Sequence, residues 1–280
     1  MQILNRKQLE AWPPGSIYIG RGTPFGNPYV IGEHGDRDAV CDQYADRMAY
    51  RIAQGDPATL TALLGLKADS SLVCSCAPLR CHGNEIESAW HHLQEAGLPK
   101  RKPSMTYAGI GSRKAPPGQL ERMTRAAQRL AAMGYTLRSG AADSADKAFE
   151  AGAGEKKEIF LPWNGFNGSS SSFVSPSRDA MDVAAAIHPA WSRLSPAVQK
   201  LQARNSHQVL GEDLRAPCDF VVCWTPDGAE TEQERSAGTG GTGQAIALAS
   251  RWGVPVFNFA RHDAGERLHA FLKVRSHGEI

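Results

Sequence analysis

The chain has 280 residues, of which 41% are hydrophobic and 21% charged, an ordinary globular composition long enough for a sizeable core in one or two domains. A formal net charge of +2 sets it apart from the strongly basic proteins that coat nucleic acid without regard to sequence. No apolar run approaches membrane-spanning length, Met1-Gln-Ile-Leu-Asn-Arg-Lys7 lacks a signal-peptide pattern, and the six cysteines point to no disulfide framework, so a cytoplasmic protein is expected.

In chain order, Ser16–Gly20 reads as a strand. Asp38–Ala53 reads as an amphipathic helix with Val40, Tyr44, Met48 and Ile52 on one face. Between them lies Arg21-Gly-Thr-Pro-Phe-Gly-Asn27. Its glycines and proline suffice for a turn, whereas Arg21 and Asn27 are not needed for one and are candidate ligand contacts. Ser71–Ser75 reads as a strand and Gly83–Ala96 as a helix. At their junction Cys74, Cys76, Cys81 and His82 have C-x-C-x(4)-C-H spacing. Three readings stand: a zinc site of four ligands, a thiolate activated at a helix start, or plain strand and turn cysteines. Cys76, Cys81 and His82, with Arg21 and Asn27 opposite, are the candidates for chemistry in this part. No cofactor is required; zinc is the metal the cluster would suit.

The stretch Gly97-Leu-Pro-Lys-Arg-Lys-Pro-Ser104 interrupts the helical pattern and is polar and basic. It suggests a small mixed α/β domain at 1–97, a linker at 98–104 and a second domain at 105–280. The second domain opens on Thr106-Tyr-Ala-Gly-Ile-Gly-Ser-Arg113, a strand running into a glycine turn, with a helix after Pro116-Pro117. Gly134–Gly140 is a further strand and turn, followed by a helix after Ala141-Ala-Asp-Ser-Ala-Asp146. Asp219–Trp224 and Gly253–Asn258 are buried-type strands, and Gly238-Thr-Gly-Gly-Thr-Gly243 opens the helix Gln244–Arg251. Alternating strands and helices imply a parallel sheet covered on both faces, with ligands beyond its carboxyl edge. The residues 161–198 read as an insertion that caps the sheet edge or offers Trp163, Asn164, Phe166 and Asn167 to a base. The run Glu230–Arg235 reads as a solvated, mobile loop.

The motifs Gly109-Ile-Gly-Ser-Arg113, Ser139-Gly-Ala-Ala-Asp-Ser-Ala-Asp146, Arg204-Asn205 and Gly240-Gly-Thr-Gly-Gln-Ala245 occur in this order. In this the segment 105–260 resembles the SLOG superfamily, which includes the DprA/Smf DNA-processing proteins and the LOG-type nucleotide phosphoribohydrolases. The resemblance implies a Rossmann-like fold and a phosphate-binding edge. That edge would comprise Gly109, Gly111, Ser112, Arg113, Ser139, Gly140, Arg204, Asn205, Trp224, Gly240, Gly241, Thr242 and Gly243. Ala141 and Ser144 stand where the DprA motif has glycines, so a differently shaped turn is expected there. LOG enzymes carry a glutamate just after the second glycine loop, where this chain reads Gln244-Ala-Ile246. Tyr18-Ile-Gly-Arg-Gly-Thr-Pro-Phe-Gly-Asn-Pro28 and Cys74-Ser-Cys-Ala-Pro-Leu-Arg-Cys-His-Gly83 are similar to a small bacterial and phage domain of unknown function.

The expected ligand is therefore a nucleotide or nucleotide-derived molecule. Its enzymatic version is hydrolysis of an N-glycosidic bond, a reaction that needs an acid near the anomeric carbon. Asp227, with its pKa raised by burial against Trp224, and Asp146 are the candidate catalytic residues. Two alternatives stand beside it. One is DprA-like binding of single-stranded DNA in recombination, against which the weak net charge argues. The other is a sensor without chemistry in a phage or defence setting. A homo-oligomer is compatible with either.

Overall fold

The computed structural model describes residues 1–97 and 104–277. The expected linker at 98–104 lies outside them except for Ser104. The chain divides into two compact units, Met1–Arg101 with Ala185–Ile187, and Lys102–Ala184 with His188–Ile280.

The first unit runs β1 (Gln2–Asn5), β2 (Ile17–Tyr18), α1 (Arg37–Ala53), α2 (Pro57–Leu64), β3 (Ser71–Cys74) and α3 (His82–Ala96). Its sheet has the order β1-β3-β2 and both pairings are parallel. Val40, Tyr44 and Met48 of α1 are buried, as the periodicity requires, and Asp36 caps the helix by accepting from the Ala39 N–H at 2.9 Å. Strand β1 and helix α2 are not anticipated by the sequence patterns. Nearly all of α2 is buried, so its apolar residues show no period to read.

After α3 the chain runs β4 (Thr106–Gly111), α4 (Pro117–Ala132), β5 (Thr136–Ser139), α5 (Ala145–Ala153), β6 (Lys157–Leu161), β7 (Phe173–Val174), α6 (Arg178–Ile187), α7 (Pro196–Leu210), β8 (Phe220–Trp224), α8 (Gly243–Arg251), β9 (Val256–Asn258) and α9 (Ala264–His277), all in the second unit but for the last three residues of α6. All six strands are parallel, in the order β7-β6-β5-β4-β8-β9. This is the α/β architecture expected. Successive strands from β4 step one way and β8 and β9 step the other, so the order reverses between β4 and β8. A crevice at the carboxyl edge belongs there. The core stacks Tyr107 on Phe220 with centroids 5.7 Å apart and places Phe149 edge-on to Tyr107.

Two expectations need correction. The region 161–198 is not merely a cap: it supplies the edge strand β7 and the helix α6, whose apolar face buries Ala180, Val183 and Ala184. The run Glu230–Arg235 is not a free solvated loop either. Glu230 pairs with Arg267 at 2.7 Å and Arg261 at 3.4 Å, Glu232 with Arg251 at 2.7 Å, and Glu234 with Arg261 at 2.8 Å. Its acids meet arginines that lie later in the chain, partners that local charge patterning does not reveal.

Candidate functional site

At the sheet edge of the second unit, loops remote in sequence meet. The Ser112 N–H donates to the Trp224 carbonyl at 2.9 Å, joining the turn after β4 to the end of β8. The Ser139 hydroxyl donates to the Gly109 carbonyl at 2.8 Å. Arg204 Nη1 lies 3.3 Å from Asp146 Oδ2, and the neighbouring Asn205 donates to the Gly241 carbonyl at 3.2 Å. The Arg204-Asn205 pair of α7 thus ties the turn after β5 to the second glycine loop. Gly140 is required by this packing, because a Cβ there would stand 1.1 Å from Arg204 Nη1. Arg204 is buried, its Nε has no hydrogen-bond partner among the described residues, and its guanidinium lies 6.0 Å from the Phe166 ring centre.

Ala141 and Ser144 both have positive φ, 56° and 74°, a region that side chains disfavour and glycine tolerates. Glu150 and Asn167 tie the turn at Ala141. The Ala141 N–H donates to Glu150 at 2.9 Å, and the Asn167 side chain donates to the Ala141 carbonyl at 3.0 Å. Asn167 is therefore engaged in the turn.

Two of the helices that follow strands of this sheet share one property. Among the described residues no side chain caps the N-terminus of α4 or α5, whereas α8 runs on from a 3-10 turn whose start Ser236 caps and whose Gly240 and Gly241 carbonyls accept the Gly243 N–H. By contrast Asp36, Asp56, Ser177 and Ser195 cap α1, α2, α6 and α7. Uncapped N–H groups carry the positive end of the helix dipole and suit an anion. Arg113, exposed beside Ser112, has no carboxylate partner among the described residues.

The acids divide sharply. Burial pushes the Asp146 carboxyl up, against the opposing pull of Arg204 and of the Ala142 and Gly111 N–H groups. Glu150, one turn later on α5, is likewise raised by burial and then by Asp146. Sequence reasoning missed Glu150, although Asp-x-x-x-Glu spacing places both carboxyls on one helix face. Asp227 goes the opposite way to expectation. Burial opposes its ionisation, but the Ser236, Thr239 and Thr225 hydroxyls and the Ala229 N–H outweigh it and bring the carboxyl down to about 2. Ser236 donates at 2.6 Å, and Thr239 donates to the same oxygen. Asp227 is a fixed anion that staples the second glycine loop, the reverse of a poised acid. Trp224 packs on the core of the unit. A cavity of about 330 Å³ adjoins that loop, lined by Gln202, Arg235, Thr239, Gly240 and Gln244 among others. Thr242 and Gly243 mark the passage from the 3-10 turn into α8.

The first unit carries a separate cleft of about 470 Å³, and Arg21, Asn27, Cys74, Cys76, Cys81 and His82 all line it. Cys74 ends β3, Cys81 is the N-cap of α3, and Cys76 sits in the turn between. The three Sγ atoms lie within 4.8 Å of one another, so this trio could hold a metal. His82 does not complete it as a fourth ligand: its Nε2 lies 2.7 Å from the Ile19 carbonyl and its Nδ1 is 3.7 Å from Cys81 alone. Cys74 and Cys81 Sγ are 3.1 Å apart. Hydrogen bonds from the Cys76 and Cys81 thiols lower Cys74, while the bond to Cys74 holds the proton on Cys81. Arg21 donates to the Asn27 and Tyr29 carbonyls at 3.3 Å each, and Asn27 donates to the Val40 carbonyl at 3.3 Å, so both also shape their loop.

Residues 3–92 match the model of a family described as a domain of unknown function, DUF4326. No curated protein matches the chain. Among solved structures, DNA processing protein A from Helicobacter pylori, described for a unique single-stranded DNA binding mode, is similar at 19% identity. The match has a TM-score of 0.37 and covers 59% of this chain and 71% of that one.

Proposed function

We propose that the second unit binds a nucleotide or nucleotide-derived small molecule at the carboxyl edge between β4 and β8. The observation that carries this reading is the pair of helix N-termini, α4 and α5, that follow β4 and β5 at that edge without a side-chain cap among the described residues. Backbone N–H groups there suit phosphate, and Arg113 adds a cation with no competing carboxylate among the described residues. The glycines at 109, 111, 240, 241 and 243 let the chain approach the ligand closely. An N-glycosidic hydrolysis at this edge would draw its acid from Asp146 or Glu150, which burial holds toward the protonated form, and not from Asp227.

Calorimetric titration with nucleoside phosphates tests the reading. Arg113→Ala weakens binding by about 1.5–3 kcal/mol, the range for hydrogen bonds to a charged group. Equal affinity of variant and wild type for every phosphate ligand that binds removes Arg113 from the site. Binding of single-stranded oligonucleotides that collapses with salt, without affinity for mononucleotides, would replace the small-molecule reading with a DNA one.

A further inference from the structure

We propose that Cys74, Cys76 and Cys81 form a three-thiolate site for one zinc-type divalent cation. Its fourth coordination position opens into the first unit's cleft and takes a small oxyanion steered by Arg21 and Arg37. The site is independent of the ligand-binding edge in the second unit.

The local fold builds the trio. A strand end, a short turn and a helix N-cap bring the sulfurs together between Cys74 and Cys81. Thiolates on a tetrahedral zinc at about 2.3 Å stand roughly 3.8 Å apart, so the 3.1 Å separation of Cys74 and Cys81 has only to widen slightly. The sulfurs already accept backbone N–H bonds, Cys74 from Cys76 at 3.2 Å and Cys81 from Gly83 at 3.4 Å. Such bonds disperse thiolate charge and orient ligands around a metal.

The fourth position is not filled from within. The Ile19 carbonyl can only accept, so in the neutral ring His82 Nε2 carries the proton. The lone pair then sits on Nδ1, but that atom is near one sulfur of the trio and not the others. The His82 ring is also held edge-on to Tyr44, with centroids 5.2 Å apart. Three protein ligands with one open position is the arrangement of a zinc site that meets a substrate or water, in contrast to a closed structural site.

Charge decides what enters. A dication with three thiolates is left with one net negative charge. Arg21 and Arg37 line the same cleft. Their hydrogen bonds go to the backbone carbonyls of Asn27, Tyr29 and Arg80. Neither has a carboxylate partner among the described residues. Arg80, also in the cleft, is different: Asp38, Asp42 and Glu85 all pair with it. Two uncompensated guanidiniums beside an open metal position select a carboxylate or phosphate group.

The test uses the full chain, purified under reductant without chelator. Elemental analysis returns about one zinc per chain. Cobalt(II) gives intense thiolate-to-metal absorption, and inorganic phosphate shifts its visible bands. Cys76→Ser, at a half-buried position, and Cys81→Ser each lower cobalt affinity at least about 100-fold, since losing a ligand costs more than losing a residue that supports one. His82→Gln keeps the metal. The double variant Arg21→Gln/Arg37→Gln keeps the metal and loses the phosphate shift. Absence of cobalt binding by the wild type, or unchanged affinity in both serine variants with native circular dichroism, overturns the metal site. Bands indifferent to phosphate, or loss of metal in His82→Gln, overturn the open position.

Discussion

The cleft of the first unit and the sheet edge of the second are built on opposite plans. In the cleft the groups that could do chemistry are side chains, and the thiols come from one short strand–turn–helix. At the edge they are mainly backbone N–H groups, contributed by loops spread from Gly109 to Gly243 and held in place by struts such as the buried Arg204 and Asn205 and the exposed Asp227. A side-chain site is deleted by a single substitution with little cost to the fold. A backbone site cannot be deleted that way and is reached only through its struts, whose loss is felt as stability.

The strongest break in that contrast is Arg204→Met. It leaves the Asp146 carboxyl buried without its partner, and stability falls by about 3–5 kcal/mol. Burial already raises the Asp146 carboxyl in the wild type; without Arg204 the folded chain holds that proton more tightly still, so the deficit grows as pH rises above the ordinary carboxylate range. Denaturant unfolding across pH measures it. Adding Asp146→Asn in the same chain restores most of the loss, and a deficit independent of pH would show that the pair is not the strut.

Asp227→Asn has a smaller effect and the opposite pH dependence. The carboxylate is bound by hydroxyl and N–H donors and brought down to about 2, so it stabilises the folded chain above the ordinary carboxylate range. The variant loses about 1.5 kcal/mol at neutral pH, the low end for hydrogen bonds to a charge because the residue is exposed. The difference from wild type shrinks as pH falls from about 4 toward 2, as the same unfolding experiment would record. Phosphate-ligand affinity falls with it if the second glycine loop is shaped by this staple.

The smallest change is a gain. Ser144→Gly relieves a non-glycine residue at φ 74°, and the relief exceeds the entropic disadvantage of glycine by about 1 kcal/mol. A raised midpoint with unaltered ligand affinity would show that the strain shapes the turn without serving the site. A raised midpoint with weakened affinity would show that the strain is part of the site's preorganisation.

By itself the sequence determined the α/β class, the helices at Asp38–Ala53 and Gly83–Ala96, and the glycine turns after β4 and before α8. These are written in short-range patterns, such as periodicity, turn residues and breakers, that act within a few residues. It also picked out the residues of the first unit's cleft, because Cys74, Cys76 and Cys81 are neighbours along the chain. Tertiary structure alone decided which groups meet at the second unit's edge and in what charge state. Asp227 was expected as an acid raised by burial; its environment comes instead from Ser236 and Thr239, reached only when the loop folds back. Glu150 became visible as a partner of the Ala141 turn once α5 had packed beneath it. The arginines that hold Glu230, Glu232 and Glu234 lie on α8, α9 and the segment before α9. Burial and ion pairing depend on such long-range neighbours, and a pattern read over a few residues does not specify them.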